Sequence, residues 1–252
     1  MKECKRKNVI VKNAVWGLCA LLFLLLSWLI LYLAVGNDIV IASPVDTAVQ
    51  AVILLGESAF WQAFFATFLR AILAFALSAV LAFTFALISY LYPVFLRFFT
   101  GVCAILRALP TMAVLLILLV LFNRAEVPVA VGVLTLFPVL FTAYFSALAG
   151  VDKKLVEMGK TFGVQSKKLV FDLYLPSMKN ALILESAAGF SFSIKLIVSA
   201  EILANVAGSL GGQMQEASMY AQMPTLFALT LLVCLLGLLV EGVASLFVKE
   251  GV

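Results

Sequence analysis

The sequence predicts an all-α protein, a polytopic transmembrane helical bundle of six spans, and three observations carry that expectation. Of its 252 residues, 65% are hydrophobic and 12% charged, whereas a water-soluble domain is about half apolar and about a quarter charged. Six apolar segments are long enough to cross a hydrocarbon layer, which takes about 20 helical residues. They are residues 14–35, 64–91, 95–122, 127–149, 181–204 and 226–248. Basic residues also alternate across the connections. Lys2, Lys5, Arg6, Lys7 and Lys12 precede the first span, and Lys153, Lys154, Lys160, Lys167, Lys168 and Lys179 fill the fourth connection. Arg97 adjoins the second connection and Lys249 the C-terminus, while the first, third and fifth connections contain only Arg124. Lysine and arginine accumulate on the cytoplasmic side, so both termini are expected there, which requires an even number of spans.

The start MKECKRK and the apolar run after it resemble a secretion signal. The run is longer than the 7–15-residue core of such a signal and ends without a small-residue cleavage site, so it reads as a retained, peripheral first span over residues 12–35. Asp38, Pro44, Asp46 and Glu57 then mark a turn and a short interfacial helix. In the second span Ala74, Ser78, Ala82 and Ala86 recur every four residues, and small residues in such a row let neighbouring backbones approach closely. The third span contains Pro110, three residues after Arg107; a proline leaves a carbonyl one turn earlier without its donor, and a guanidinium can supply one. In the fifth connection Gly208, Gly211 and Gly212 predict a turn, and QMQEASMYAQ a short external helix. No internal repeat is visible, so the chain reads as one domain over 1–252 with its core spans in 62–248.

Composition also excludes chemistry. With no histidine, imidazole bases, histidine metal sites and Ser-His-Asp triads cannot be built. Cys4, Cys19, Cys103 and Cys234 are scattered without zinc or disulfide spacing and read as small apolar fillers. Nothing points to nucleic acid.

The most informative stretch lies between the fourth and fifth spans, residues 151–176. Leu155, Met158 and Phe162 fall at i, i+3 and i+7, one face of a short helix. Gly163 permits a sharp break. Ser166 then caps a second short helix carrying Leu169, Val170 and Leu173, which Pro176 separates from the next span. The apolar face of this cytoplasmic knob needs a partner.

This stretch resembles the EAA loop of the permease subunits of ATP-binding cassette (ABC) importers, E-A-A, three residues, G, nine residues, I-x-L-P. Glu157, Gly163, Leu173, Leu175 and Pro176 occupy its register without insertion, with Met158 and Gly159 in place of the alanines and Leu173 in place of isoleucine. The resemblance extends over residues 40–248, through ASPVDTAVQAV, FFATFLRAILAFALSAVLAF, ILRALPTMAVLLILLVLF and VSAEILANVAGSLGGQMQEA, and is similar to the branch importing nitrate, sulfonates, taurine and related small solutes. It implies a type I (MetI-like) permease fold in a bacterial inner membrane. A second permease copy, cytoplasmic ATPases that hold the ATP and magnesium, and an external solute-binding protein are the implied partners. Leu155, Glu157, Met158, Phe162, Gly163 and Pro176 are the implied ATPase contact. Gly159-Lys160-Thr161 copies the end of a phosphate-binding loop, but Lys154 stands where its first glycine belongs and no strand precedes it, so this chain is not expected to bind nucleotide or act as an enzyme.

Ionisable side chains at membrane depth face protein or water and mark functional paths. Arg70, Arg107, Lys195 and Glu201 are the candidates for lining the path, with Glu185 and Glu241 nearer the cytoplasm. Arg70 is placed to anchor at the outer interface or to line the path. Lys195 and Glu201 are six residues apart, about 240° around a helix, so each needs a partner elsewhere. Pairing with Arg107 or with the symmetry-related chain would leave a net positive cavity suited to an anion. The competing readings are a gradient-driven transporter or channel using Glu201 and Lys195, an intramembrane enzyme, and a membrane scaffold.

Overall fold

The computed structural model describes residues 2–249 except 153, 155–156, 159–160 and 163–169. As the sequence predicts, the secondary structure of the described residues is helical. The chain divides into two units, Met1–Glu57 with Glu216–Leu231, and Ser58–Gln215 with Leu232–Val252.

In the first unit, helix α1 (Lys2–Val35) ends where Gly36 turns to φ +59, a conformation open to glycine because it lacks a Cβ. Ser43 opens α2 (Pro44–Gly56): its Oγ accepts from the Asp46 amide, and Pro44 occupies the first turn, where its missing N–H costs nothing. The Trp28 indole donates to the Ala42 carbonyl at 3.1 Å and stacks on Phe227, ring centres 5.6 Å apart.

The second unit carries the bundle. It is built from α3 (Ser58–Leu91), α4 (Pro93–Ala108), α5 (Thr111–Leu121), α6 (Val127–Ala149) and α7 (Leu175–Ala204). A π turn, Val170–Tyr174, leads directly into α7. Helix α8 (Leu210–Met219) and α9 (Met223–Lys249) complete the chain, each with part of its length in each unit.

Helix α3 packs most extensively on α6, and α7 lies against both. The small-residue row makes this possible: Ala71, Ala74, Ser78, Ala82 and Ala86 are fully buried. Opposite them, a Cβ on Gly132 of α6 would lie 2.9 Å from Ala74 Cβ and 3.1 Å from Ile197 Cδ1. The Ser193 hydroxyl of α7 donates to the Ala71 carbonyl at 2.9 Å. Large side chains such as Leu73, Leu77, Val80 and Leu81 remain exposed on the same helix. In lipid, which is as apolar as leucine, burial separates small from large rather than apolar from polar.

Two expectations change. Four helices are long and apolar enough to cross a membrane, Ser58–Leu91, Val127–Ala149, Asp172–Ala204 and Met223–Val243. The expected third span is bent by 90° between Pro93–Ala108 and Thr111–Leu121, and counting it as one gives five of the six expected spans among the described residues. Pro110 supplies the physical reason, because it has no amide to continue the helix and holds Leu109 in an extended conformation. Among the described residues the apolar part of α1 is the shorter segment Cys19–Val35. The second change concerns Pro176, which sits in the first turn of α7 and separates nothing; a first-turn proline gives up only an amide that the helix would leave unbonded.

Candidate functional site

Two groups of residues carry candidate function. The first is the polar segment before α7. One helical turn is described there: the Thr161 hydroxyl donates to the Glu157 carbonyl at 2.9 Å and the Phe162 amide to Met158 at 3.0 Å. Glu157 is exposed, and Met158 and Phe162, four residues apart on one face, are 55% and 78% exposed. An aromatic ring and a thioether side by side at the surface of a basic segment form an apolar patch with no covering from the described residues. Leu155, Gly163 and Ser166 lie outside the described residues. Pro176 is exposed in the first turn of α7.

This segment is tied to the bundle at its exit. Tyr174 is buried, its ring edge-on to Tyr90 at the end of α3, with centres 5.3 Å apart and the hydroxyls 3.3 Å apart. Nearly three helical turns past Pro176 the Tyr144 hydroxyl of α6 meets Ser186 at 2.9 Å. Sequence reasoning missed Tyr90, Tyr144 and Tyr174; their position towards span ends, where an amphipathic ring is favoured, was the available signal.

The second group is the set of charges within the helices. Glu201 is completely buried, and its carboxylate accepts from Arg70 Nη1 and Thr67 Oγ1 at 2.8 Å each and from the Gly211 amide at 3.2 Å. The Leu210 amide donates to the Thr67 hydroxyl at 3.0 Å. Glu201 and Thr67 thus satisfy the first amides of α8, where the helix dipole favours a negative charge. Gly211 is necessary to the arrangement, since a Cβ there would collide with Glu201 Cβ and lie 2.6 Å from the Val198 carbonyl. The glycine pair expected in a turn therefore lies in the first turn of α8 itself.

This corrects two expectations. Arg70 does not extend to the outer interface; it turns to Glu201 with 19% of its side chain exposed. Glu201 pairs with Arg70 and not with Arg107. Arg107 donates through Nε to the Cys103 carbonyl at 3.2 Å, one turn back in its own helix, not to the carbonyl that Pro110 frees. It lines a cleft of about 120 Å³ between the 90° bend and α6, with Leu109, Thr111, Thr135 and Pro138. Lys195 is exposed on the other side of α7 and makes no ion pair among the described residues. The four candidates are therefore not gathered into one cavity: two neutralise each other and two stand apart. Thr67 went unnoticed in the sequence, although it continues the small-residue row one turn before Ala71.

Among the described residues no group of acidic and cysteine side chains is arranged to hold a metal. Cys19, Cys103 and Cys234 are free thiols.

With this geometry established, comparison with known proteins decides the family. Residues 82–250 match the binding-protein-dependent transport system inner membrane component family. The chain belongs to that family. A probable ABC transporter permease protein of Brucella melitensis biotype 1 is 24% identical over 210 residues, 83% of this chain and 85% of that one. A counterpart from Brucella abortus is also 24% identical, over 84% of its length. A carnitine transport permease protein of Listeria monocytogenes is 26% identical over 121 residues, 47% of this chain and 53% of that one. In fold, the permease resembles a chain of the MetNI methionine ABC transporter in an inward-facing conformation, with a TM-score of 0.63 at 14% identity over 77% of this chain and 98% of that one. The protein is thus an ABC transporter permease subunit with a MetI-like, all-helical membrane fold.

Proposed function

We propose that this permease moves a small solute into the cell in a system driven by ATP hydrolysis on separate subunits, and that the turn from Glu157 to Phe162 is where an ATPase docks. The observation that carries the proposal is the pair Met158 and Phe162, large apolar side chains open to solvent within the register of the EAA loop. In water such a pair favours burial against a partner. Glu157, Leu155, Gly163 and Pro176 belong to the same contact by their place in that register. A second copy of the chain, an external binding protein, six spans with both termini cytoplasmic and ATP with magnesium on the ATPase complete the reading.

The solute is proposed to carry an anionic group, as in the nitrate, sulfonate and taurine branch that the sequence runs resemble. Arg107 and Lys195 are the cations left for it, because Arg70 is neutralised by Glu201. The same neutralisation argues against a gradient-driven transporter using Glu201, whose carboxylate already accepts three hydrogen bonds.

Cysteine crosslinking tests the docking. A Phe162→Cys variant in native membranes is expected to crosslink to a protein of ATPase size, and a Leu77→Cys control, exposed on α3, is not. Crosslinking to no ATPase, with uptake intact, would overturn the reading.

A further inference from the structure

The 90° bend between α4 and α5 is irregular backbone at membrane depth. Leu109 and Pro110 are extended, with ψ 128 and 115, and Leu109 is 45% exposed. The bend lies against Thr135 and Pro138, at the middle of α6. The 23 residues of α6, at about 1.5 Å each, are long enough to cross a hydrocarbon layer of about 30 Å. Non-helical backbone at that depth is stable only where protein covers it or water reaches it. The same holds for Arg107, which is exposed beside it. The cleft of about 120 Å³ that they border far exceeds the roughly 15 Å³ that admits one water, so the bend opens on water rather than on lipid.

The polar side chains of this lining are Arg107, Thr111 and Thr135, and no carboxylate is among them. Arg107 spends its Nε on the Cys103 carbonyl, which holds the guanidinium on its own helix and leaves both Nη groups unused by the described residues. Three helical threonines, Thr84, Thr142 and Thr230, return their hydroxyls to the carbonyl four residues back at 2.8 Å. Thr135 does not, and neither its hydroxyl nor that of Thr111 has a partner among the described residues. Pro110 stands at the capping position of α5 without a side-chain acceptor, so the first amides of that helix are unanswered as well. Lys195 has no share in the cleft. It lies against α9, its Cε 3.2 Å from where a Cβ on Gly237 would stand. The cleft thus has one cation, a hydroxyl from each of two helices and no acid.

We infer that this cleft is a binding site for a singly charged oxyanion, a carboxylate or sulfonate, held end-on by the two Nη groups of Arg107 and flanked by the Thr111 and Thr135 hydroxyls. The planar fork of a guanidinium matches two oxygens of one group. A second negative charge would find no second cation in the lining, and an ammonium would meet Arg107 with no carboxylate to offset it. Phospholipid headgroups carry oxyanions too, but the middle of α6 lies about 15 Å, half the hydrocarbon thickness, from either headgroup layer. The occupant is therefore the anionic part of a passing solute. The inference deepens the importer reading by choosing Arg107 over Lys195 as the cation that meets the solute, and it rests on that reading only for the role of the site in uptake.

Cysteine labelling of the full-length permease in nanodiscs tests this, in a background whose native cysteines are replaced by serine or alanine. Thr135→Cys, and separately Thr111→Cys, is treated with the anionic reagent sulfonatoethyl methanethiosulfonate or its cationic trimethylammonium counterpart, each rate being divided by the rate with a small free thiol. Focusing of the field at the cation should make the anionic reagent at least about tenfold faster, and propanesulfonate should slow it where propyltrimethylammonium does not. Arg107→Gln should abolish both the preference and the protection. Arg107→Lys should keep the preference and weaken the protection, since an ammonium retains the charge but not the fork. Should either Arg107 variant misfold, the preference and the protection in the two cysteine variants decide alone. Equal rates, no reaction because lipid fills the cleft, or a preference that propanesulfonate does not compete overturns the inference. The last of these, with slower labelling in phosphatidylglycerol than in phosphatidylcholine, would assign the cleft to a headgroup. The ATPase crosslink at Phe162→Cys is read separately. Crosslinking without anion preference would sink the cleft and spare the importer, and preference without crosslinking would do the reverse.

Discussion

Glu201 shows how a single buried charge is made tolerable. It is fully buried, and without Arg70, Thr67 and the Gly211 amide its ionised form would be expelled or neutralised. Removing one partner is much worse than removing both, because the first leaves an unanswered charge. Arg70→Met is therefore expected to destabilise the protein by about 3–5 kcal/mol, and Arg70→Met with Glu201→Gln by clearly less. Thermal melting of the purified permease checks the order of the three proteins. An additive result would mean that the pair is not coupled. In the sequence both residues were conspicuous as charges at membrane depth. Their pairing was not, because they lie on different helices, 131 positions apart.

At the scale of helices, stability depends on close approach at small residues. Gly132 faces Ala74 and Ile197, and Gly189 of α7 faces Leu140 of α6, whose Cδ2 would be 2.6 Å from an added Cβ. Overfilling such contacts costs about 1–3 kcal/mol each. Gly132→Val and Ala82→Leu should lower the melting temperature and the yield, whereas Leu77→Ala, on an exposed position of α3, should change neither; equal effects at all three would remove the packing argument. The row Ala74, Ser78, Ala82 and Ala86 was readable as a packing face because its spacing repeats every turn. The 90° bend at Leu109 and Pro110 was not. Proline announces a break, but the angle depends on what the two halves find to pack against, and here both α4 and α5 rest on α6.

For the whole molecule, the exposed turn and the bundle must move together if ATP hydrolysis is to drive transport. Tyr174 on Tyr90 and Tyr144 on Ser186 are the bonds through which α7 would transmit that motion. Glu157→Lys, or a bulky β-branched residue at Gly163, should uncouple ATP hydrolysis from uptake while the complex still assembles. Met158→Ser with Phe162→Ser should go further and weaken ATPase binding by about a hundredfold or more, so that little copurifies, since burying two large apolar side chains is worth roughly 3 kcal/mol or more. Pull-down of the tagged permease, with melting temperature as the control for folding, measures this. Normal ATPase recovery by the double serine variant would contradict the docking role.

What the sequence by itself determined is what local composition controls: membrane class, helical secondary structure, the small-residue face of α3, and the ordered spacing from Glu157 to Pro176 that placed the chain among ABC permeases. Each is set by neighbours within a few turns, or by a contiguous register. Only the tertiary structure decided that Arg70 answers Glu201, that Gly211 lets α8 dock on that carboxylate, and that Lys195 stands apart across Gly237. Those outcomes depend on which helix faces meet, and a charge in a low-dielectric interior bonds to whatever the packing brings within about 3 Å.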